Sequence, residues 1–310
     1  MTRPRHSGDP PTVDTGTAPA VPRRRPAGGH LAAVVLLVVA LALPQAAHAQ
    51  TSTDLTIVGH RGASGYRPEN TVPALWRAAR LGADWVEMDV RATRPGTPVI
   101  LHDQWLGRTT TGTGRVRDLT DRRRRALRAE ERWPWYRPTS ASFDGRFIVP
   151  TLRRMIDEAE EKTIAVLADF KTRRGEQRAV ALLEAAQVPV RVSPHNSRQH
   201  AWMAATTDLA LMWRTKDPVT ADLIDRLAAD GSTVGIVAHR DDVTRDVVDR
   251  AHATGLEVWA WTFRAQNHWL PDRYDVGSSR RGYGDMAGWI DEYVDLGVDG
   301  VVVDEPDRVE

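Results

Sequence analysis

The chain contains no cysteine. That excludes a disulfide framework, a thiol nucleophile and a Cys-ligated zinc. Lysine is nearly absent too. Lys162, Lys171 and Lys216 are the only lysines among 42 basic residues, so each marks a place where a compact ammonium was kept in place of a guanidinium. A charge excess of either sign is also missing. The formal net charge is +1, and removing residues 1–49, with their five arginines and two aspartates, turns it to −2. A nucleic-acid surface needs a clear basic excess, so no nucleic-acid partner is expected. The sequence shows no G-x-S-x-G elbow, no H-E-x-x-H and no P-loop, which removes the commonest serine-hydrolase, zinc-protease and nucleotide signatures.

Long apolar runs are scarce. Leu31–Leu43 is purely apolar but has only thirteen residues, too few for an ordinary membrane span. Arg23-Arg24-Arg25 precedes it, and Pro44 and Ala47-His48-Ala49 follow. Basic stretch, short apolar core and A-x-A site read as a secretory signal peptide; the alternative is an uncleaved anchor. The expected organisation is a cleaved leader over 1–49 and a catalytic body over 50–310. The product would be secreted or envelope-associated, with no stable membrane insertion after cleavage. A body of this size can build a sufficient core without disulfides.

Within that body, β-type apolar runs alternate with helical patterns. The runs fall at 55–60, 85–90, 98–103, 163–170, 188–193, 209–213, 233–238, 256–262 and 298–304. Helical periodicity appears at 71–81, 151–161, 175–186, 219–229 and 243–254. Thr71 caps the first of these, Pro73 suits its first turn, and Val72, Leu75, Trp76 and Ala79 share a face. The link Arg91–Pro98 is too short for a parallel crossover, so 98–103 folds back beside 85–90 as a hairpin. Eight parallel strands remain. The expected fold is α/β, a (β/α)8 TIM barrel with a hairpin after strand 2. Two stretches, 104–149 and 264–286, follow strand ends and read as loop insertions over the C-terminal mouth. The charge run Asp121–Arg125 inside the first reads as a solvated helix face.

The polar residues cluster at strand ends. On 85–90 the period of two puts Val86, Met88 and Val90 on one face and Glu87 and Asp89 on the other. Two buried like charges need a cationic companion. A divalent metal is the simplest, and oxygen ligands suit Ca²⁺ or Mg²⁺. The same rule puts Asp169 and Lys171 opposite Ile164, Val166, Ala168 and Phe170. Asp169 is either a third metal ligand or half of a buried ion pair with Lys171. His60 and His102 each end an apolar run and suit a base and an acid either side of a scissile bond. Arg61 suits a bidentate phosphate contact. Glu69 is either a further group around the metal or a helix-start carboxylate. Trp259 and Trp261 face one way, as core or as an aromatic wall; a trimethylammonium group would suit the wall at Trp261. His195 and His239 are pocket candidates, and His200, His252 and His268 read as surface residues.

These residues stand in ordered motifs. They are Val58-Gly-His-Arg-Gly-Ala63, Pro68-Glu-Asn-Thr71, Gly82-Ala-Asp-Trp-Val-Glu-Met-Asp-Val90 and Leu101-His-Asp103. Further along come Arg108-Thr-Thr110, Val149-Pro-Thr-Leu152, Val258-Trp-Ala-Trp-Thr262, Gly297-Val-Asp-Gly300 and Asp304-Glu-Pro-Asp307. Together they resemble the glycerophosphodiester phosphodiesterase family, in its larger exported branch. The resemblance implies a (β/α)8 barrel and metal-dependent hydrolysis of small glycerophosphodiesters, such as glycerophosphocholine, to glycerol 3-phosphate and an alcohol. It implies His60 and His102 as the acid–base pair, Arg61 and Lys171 as phosphate contacts, and Glu87, Asp89 and Asp169 as metal ligands. It also implies attack by the substrate's own glycerol hydroxyl, giving a cyclic phosphate that water opens.

Three positions depart from the family pattern. Asp169 stands where Glu is usual, Arg153-Arg154 replace an acidic pair, and Val303 replaces a threonine, which would alter the pocket floor. Alternative readings keep the barrel but act on intact phospholipids, in the manner of a phospholipase D, or on teichoic acid polymer. A third is a phosphoester binder without catalysis.

Overall fold

The structure, a computed structural model, describes residues 55–130, 147–215, 217–276 and 282–309. The expected leader, Trp133-Pro-Trp-Tyr136 and Lys216 lie outside the described residues. Strands β1 (Thr56–Gly59), β2 (Trp85–Ala92), β4 (Ala165–Phe170), β5 (Val190–Ser193), β6 (Ala210–Arg214), β7 (Thr233–His239), β8 (Glu257–Phe263) and β9 (Gly300–Val303) run parallel, and β9 pairs back to β1. Strand β3 (Pro98–Ile100) lies antiparallel on β2, with Val90 opposite Ile100 and Ala92 opposite Pro98. Helices α1 (Val72–Arg80), α3 (Leu152–Lys162), α4 (Glu176–Glu184), α5 (Ser197–Thr206), α6 (Ala221–Ala229), α7 (Arg245–Ala253) and α8 (Met286–Leu296) connect successive barrel strands. The fold is the expected (β/α)8 barrel with its early hairpin. Among the described residues no helix is long and apolar enough to cross a membrane.

The period of two sorts the strand side chains into two cores. Val86, Met88 and Val90 point outward and join Leu75 and Ala78 of α1 and Met155 and Ile156 of α3 in one buried cluster. Val58, Leu167, Met212, Val237, Trp259 and Val302 point inward and fill the barrel. Below them Arg191 pairs with Glu257 at 2.6 and 2.7 Å and lies over the rings of Trp85 and Trp259. This plug closes the N-terminal end, so polar chemistry is left to the other. Trp259 is therefore core, whereas Trp261, two residues on, reaches the mouth.

Helix α1 begins as expected, with Thr71 Oγ1 accepting from Ala74 N. Its buried face is Ala74, Leu75 and Ala78, not the one that includes Trp76. That indole lies outside, where it donates to Glu158 and stacks with the Lys162 ammonium. The arginine run forms helix α2 (Asp121–Ala126), none of whose residues is buried, as a solvated face requires. His200 is a correction: it is buried and bonds Thr233 Oγ1 at 2.8 Å.

Two of the three departures find a physical account. Arg153 and Arg154 pair one helical turn on with Asp157 and Glu158, an arrangement that supports α3 and lies away from the mouth. Val303 packs in the outer cluster with Ile290 and Val301. The residue on the pocket floor is Val302, so the change at 303 leaves the floor intact.

Candidate active site

The carboxylate trio, His60, Arg61 and Lys171 come from C-terminal strand ends, and Glu69 from the turn before α1. β1 leads into His60 and Arg61, β2 carries Glu87 and Asp89, and β4 carries Asp169 and leads into Lys171. Register sets Asp89 directly beside Asp169. Ligand oxygens of Glu87, Asp89 and Asp169 all lie within 4.8 Å of one another, and all three residues are buried. The backbone is shaped to hold them. Arg61 has φ of +53°, and in that posture its N–H donates to Glu87 Oε2 at 2.8 Å. Asn70, at φ of +59°, donates to Asp89 Oδ2 at 2.7 Å and accepts from Asp89 N at 3.1 Å. Left-handed conformations cost a non-glycine residue free energy and gather where geometry matters.

Three cations face the three carboxylates. Lys171 Nζ lies 3.0 Å from Asp89 Oδ1 and 2.5 Å from Asp169 Oδ2. Arg61 Nε lies 3.2 Å from Asp89 Oδ2. Arg214, from the end of β6, contacts Asp169 and stands 3.7 Å from Glu87 Oε1. The surroundings drive two neighbouring acids apart. Burial and the charge of Asp89 push Glu87 up to about 7 against the pull of Arg214, Lys171 and Arg61. Burial also penalises the Asp89 charge, but Lys171 and Arg61 outweigh it and hold the carboxyl well below its usual range.

The donors fit a hard divalent cation. They are all oxygen, they converge, and Glu87 Oε1 is buried without a hydrogen-bond partner. Asp89 is engaged on both oxygens, by Lys171 on Oδ1 and by Arg61 and Asn70 on Oδ2, and Asp169 on Oδ2 alone, where Lys171 and Arg214 meet.

The two histidines are built alike. His60 Nδ1 bonds Asp304 Oδ1 at 2.6 Å, and Asp304 accepts in turn from Ser64 Oγ at 2.9 Å and Arg264 Nε at 2.7 Å. Burial and Arg61 lower the His60 pKa to about 4 despite Asp304. Its Nε2 is buried, takes no hydrogen bond, and belongs to a ring that lines the same small cavity as Glu87, Asp169, Arg214 and Trp261. His102 Nδ1 bonds Asp103 Oδ1 at 2.7 Å, and Arg108 grips Asp103 at 2.7 and 3.0 Å. Burial lowers His102 as well, with Asp103 opposing. In both cases a carboxylate on Nδ1 favours the tautomer whose Nε2 lone pair faces outward, ready to take a proton. Arg108 also binds Glu69 at 2.7 and 2.8 Å, and Glu69 binds Arg61 at 3.0 Å. Through Arg61, which also meets Asp89, Glu69 stands one contact behind the trio. It is the anion between two arginines, and it ties the two histidine arms together.

Sequence reasoning had the histidines, Arg61, Lys171 and the trio, and the structure brings all but His102 into direct contact or a shared cavity. His102 stands at the rim, its carbonyl joined to Lys171 through Arg91. Asp304, Asp103, Arg108 and Asn70 lay inside quoted motifs without a role. Arg214 was missed, although it stands two residues past the inward-facing Met212 and so had to point into the barrel. Its guanidinium covers the Trp261 ring at 4.3 Å.

The Bacillus subtilis protein YhdW is 40% identical over 115 residues, 37% of this chain and 44% of that protein. Human Glycerophosphodiester phosphodiesterase 1 is 37% identical over 117 residues, 38% of this chain and 34% of the relative. The matched region spans less than half the length of these curated relatives. Among solved structures, an Oleispira antarctica phosphodiesterase in complex with the product sn-glycerol-3-phosphate superposes with a TM-score of 0.66. It is 22% identical and covers 82% of this chain and 94% of that one, a likeness of fold. Residues 60–308 match the model of the Glycerophosphoryl diester phosphodiesterase family, and the chain belongs to that family.

Proposed function

We propose that the protein hydrolyses glycerophosphodiesters to glycerol 3-phosphate and an alcohol. The observation that carries this is the pairing of two histidines, each held through Nδ1 by an arginine-anchored carboxylate, with a carboxylate trio between cations. A phosphoester binder without catalysis has no use for two oriented imidazoles.

In this reading Arg61 and Lys171 hold the non-bridging phosphate oxygens. Glu87, Asp89 and Asp169 would hold Ca²⁺ or Mg²⁺, which supplies charge for the developing phosphorane and polarises the phosphoryl oxygen. His60 and His102 act as a pair. One Nε2 takes the proton of the substrate's glycerol hydroxyl as that oxygen bonds to phosphorus. The other delivers a proton to the alcohol oxygen as its bond to phosphorus breaks. Water then opens the cyclic phosphate with the two roles exchanged. Burial of His60 keeps it unprotonated at neutral pH, the form a base requires. Export, with loss of 1–49, belongs to the same proposal and is read by N-terminal sequencing of protein recovered from culture medium.

The test is release of glycerol 3-phosphate from a panel of glycerophosphodiesters by the purified protein. It is run with chelator, with Ca²⁺ or Mg²⁺ restored, and beside His60→Ala. Metal-dependent release that the mutant loses is the expected result. Absence of release with either metal would overturn the reading.

A further inference from the structure

Beyond Trp261 the mouth opens into a second cavity of about 260 Å³, between the ends of β7 and β8 and the segment after β8. Trp261 lines both this cavity and the one lined by His60, Glu87 and Asp169, so the two adjoin at that ring. Three indoles, Trp261, Trp269 and Trp289, make it look like an aromatic cage for a trimethylammonium group. The arginines contradict that. Arg214 covers Trp261 at 4.3 Å, Arg264 covers Trp269 at 4.7 Å, and Arg240 covers Trp289 at 4.9 Å. Arg240 and Arg264 line this cavity and Arg214 the adjoining one, so one face of each ring is already used by a guanidinium group.

The balance of charge points the same way. Arg240 and Arg264 line the cavity, and among its described lining residues there is no carboxylate. Two acids that meet these arginines stand outside it. Asp304 is buried behind Arg264 and shared with His60 and Ser64, and Asp241 lies 3.7 Å from Arg240 on the solvent side. Thr262 Oγ1, also in the lining, is buried and has no hydrogen-bond partner. His239 completes the wall, edge-on to Trp261. Arg240 gives Nη1 to Thr262 O at 2.9 Å and Arg264 gives Nε to Asp304; two cations and a buried hydroxyl beside flat apolar rings still favour an oxyanion over a cation.

Resting on the phosphodiesterase reading above, we infer that this cavity receives an anionic group carried by the substrate beyond the scissile phosphorus. The substrate class is therefore a glycerophosphodiester whose alcohol bears a further phosphate or carboxylate, and choline esters are disfavoured.

The test compares three compounds on the full chain: glycerophosphocholine, glycerophosphoglycerol, and glycerophosphoglycerol bearing a terminal phosphomonoester. The phosphate-bearing compound is expected to show kcat/KM roughly tenfold above the neutral one, the scale of one charge-assisted contact, with the choline ester lowest. Arg240→Gln should collapse that ratio and Arg240→Lys should restore part of it. Should the variants fold poorly, the wild-type ratio must still fall between roughly 0.02 and 0.3 M salt, as screening requires. Equal or preferred use of the choline ester would overturn the inference and leave the activity standing. Failure to hydrolyse all three would overturn the activity. Calorimetric titration of the same compounds then decides the inference alone, since their order of affinity needs no turnover.

Discussion

Asp304 holds His60 Nδ1 at 2.6 Å inside a barrel where neither side chain meets solvent to any extent, and Arg264 fixes the other oxygen of that carboxylate. The imidazole therefore has one orientation and one favoured tautomer. Asp304 is a positioning residue in this arrangement, since it touches His60 and not the reacting atoms. Asp304→Asn keeps the shape but offers an amide where a carboxylate stood. We expect kcat to fall by about 10²–10⁴, with KM changed far less, because the loss concerns tautomer and charge rather than binding. The acidic limb of the pH profile should also move lower, because Asp304 is one of the groups that raise the His60 pKa. A loss confined to KM would show that Asp304 serves the fold or substrate binding instead.

The pH dependence of the wild type follows from the same residue. Burial and Arg61 bring His60 down to about 4 from an ordinary 6.5. His60 is therefore neutral from mild acid upward, and its basic form disappears only as pH falls toward 4. The acidic limb of kcat/KM attributable to this group should lie well below 6.5. An inflection at 6.5 in the wild type, removed by substitution of His60, would contradict the burial argument.

The sequence carried the periodicities from which the barrel could be built. Glu87/Asp89 and Asp169/Lys171 announced themselves because polar pairs at a spacing of two, opposite apolar ones, can only face a polar interior. The hairpin at Pro98 followed from a connection too short to cross over. What escaped was long-range pairing. Nothing near Asp304 in the chain says that it holds His60, 244 residues away, and nothing near Glu69 says that two arginines clamp it. Trp76 was misplaced because an indole on an apolar-looking stripe can equally lie outside against a lysine. Trp261 shows the same limit. The ring was visible in sequence, but the arginine lying on it comes from another strand.

Glu305 gives a stability prediction. Burial and Asp304 push its carboxyl up to about 8, against the bonds it accepts from Ala265 N and Gln266. Gly65 leaves it room, since a Cβ there would collide with Oε1. The unfolded chain releases this proton near 4.5 and the folded chain near 8. Stability from this group is thus fully present below 4.5 and is lost as pH rises through 8, on the order of a few kcal/mol at most. Glu305→Gln should flatten that part of the curve and raise Tm at pH 8 relative to the wild type. A wild-type Tm that climbs between pH 5 and 8, with a slope that the substitution leaves unchanged, would count against the assignment.

Arg214 supplies the last expectation, because it reaches the oxygens that a metal needs. It contacts Asp169 and faces Glu87 Oε1 at 3.7 Å, so a divalent ion entering the trio meets a guanidinium already opposite two of its three carboxylates. Binding must displace that contact or tolerate the repulsion, and either lowers affinity. Removing the charge with Arg214→Gln should tighten Ca²⁺ or Mg²⁺ binding by about tenfold, roughly 1.4 kcal/mol, as measured by calorimetry on chelator-stripped protein. The same substitution withdraws a cation from beside Trp261, so affinity for inorganic phosphate should weaken in the metal-free protein. Asp169→Glu provides the companion measurement, since a longer side chain can reach past Lys171 and should tighten the metal with Arg214 still in place. Unchanged metal affinity in both variants would mean that Asp169 is an ion-pair partner only, and that the metal, if held, rests on Glu87 and Asp89.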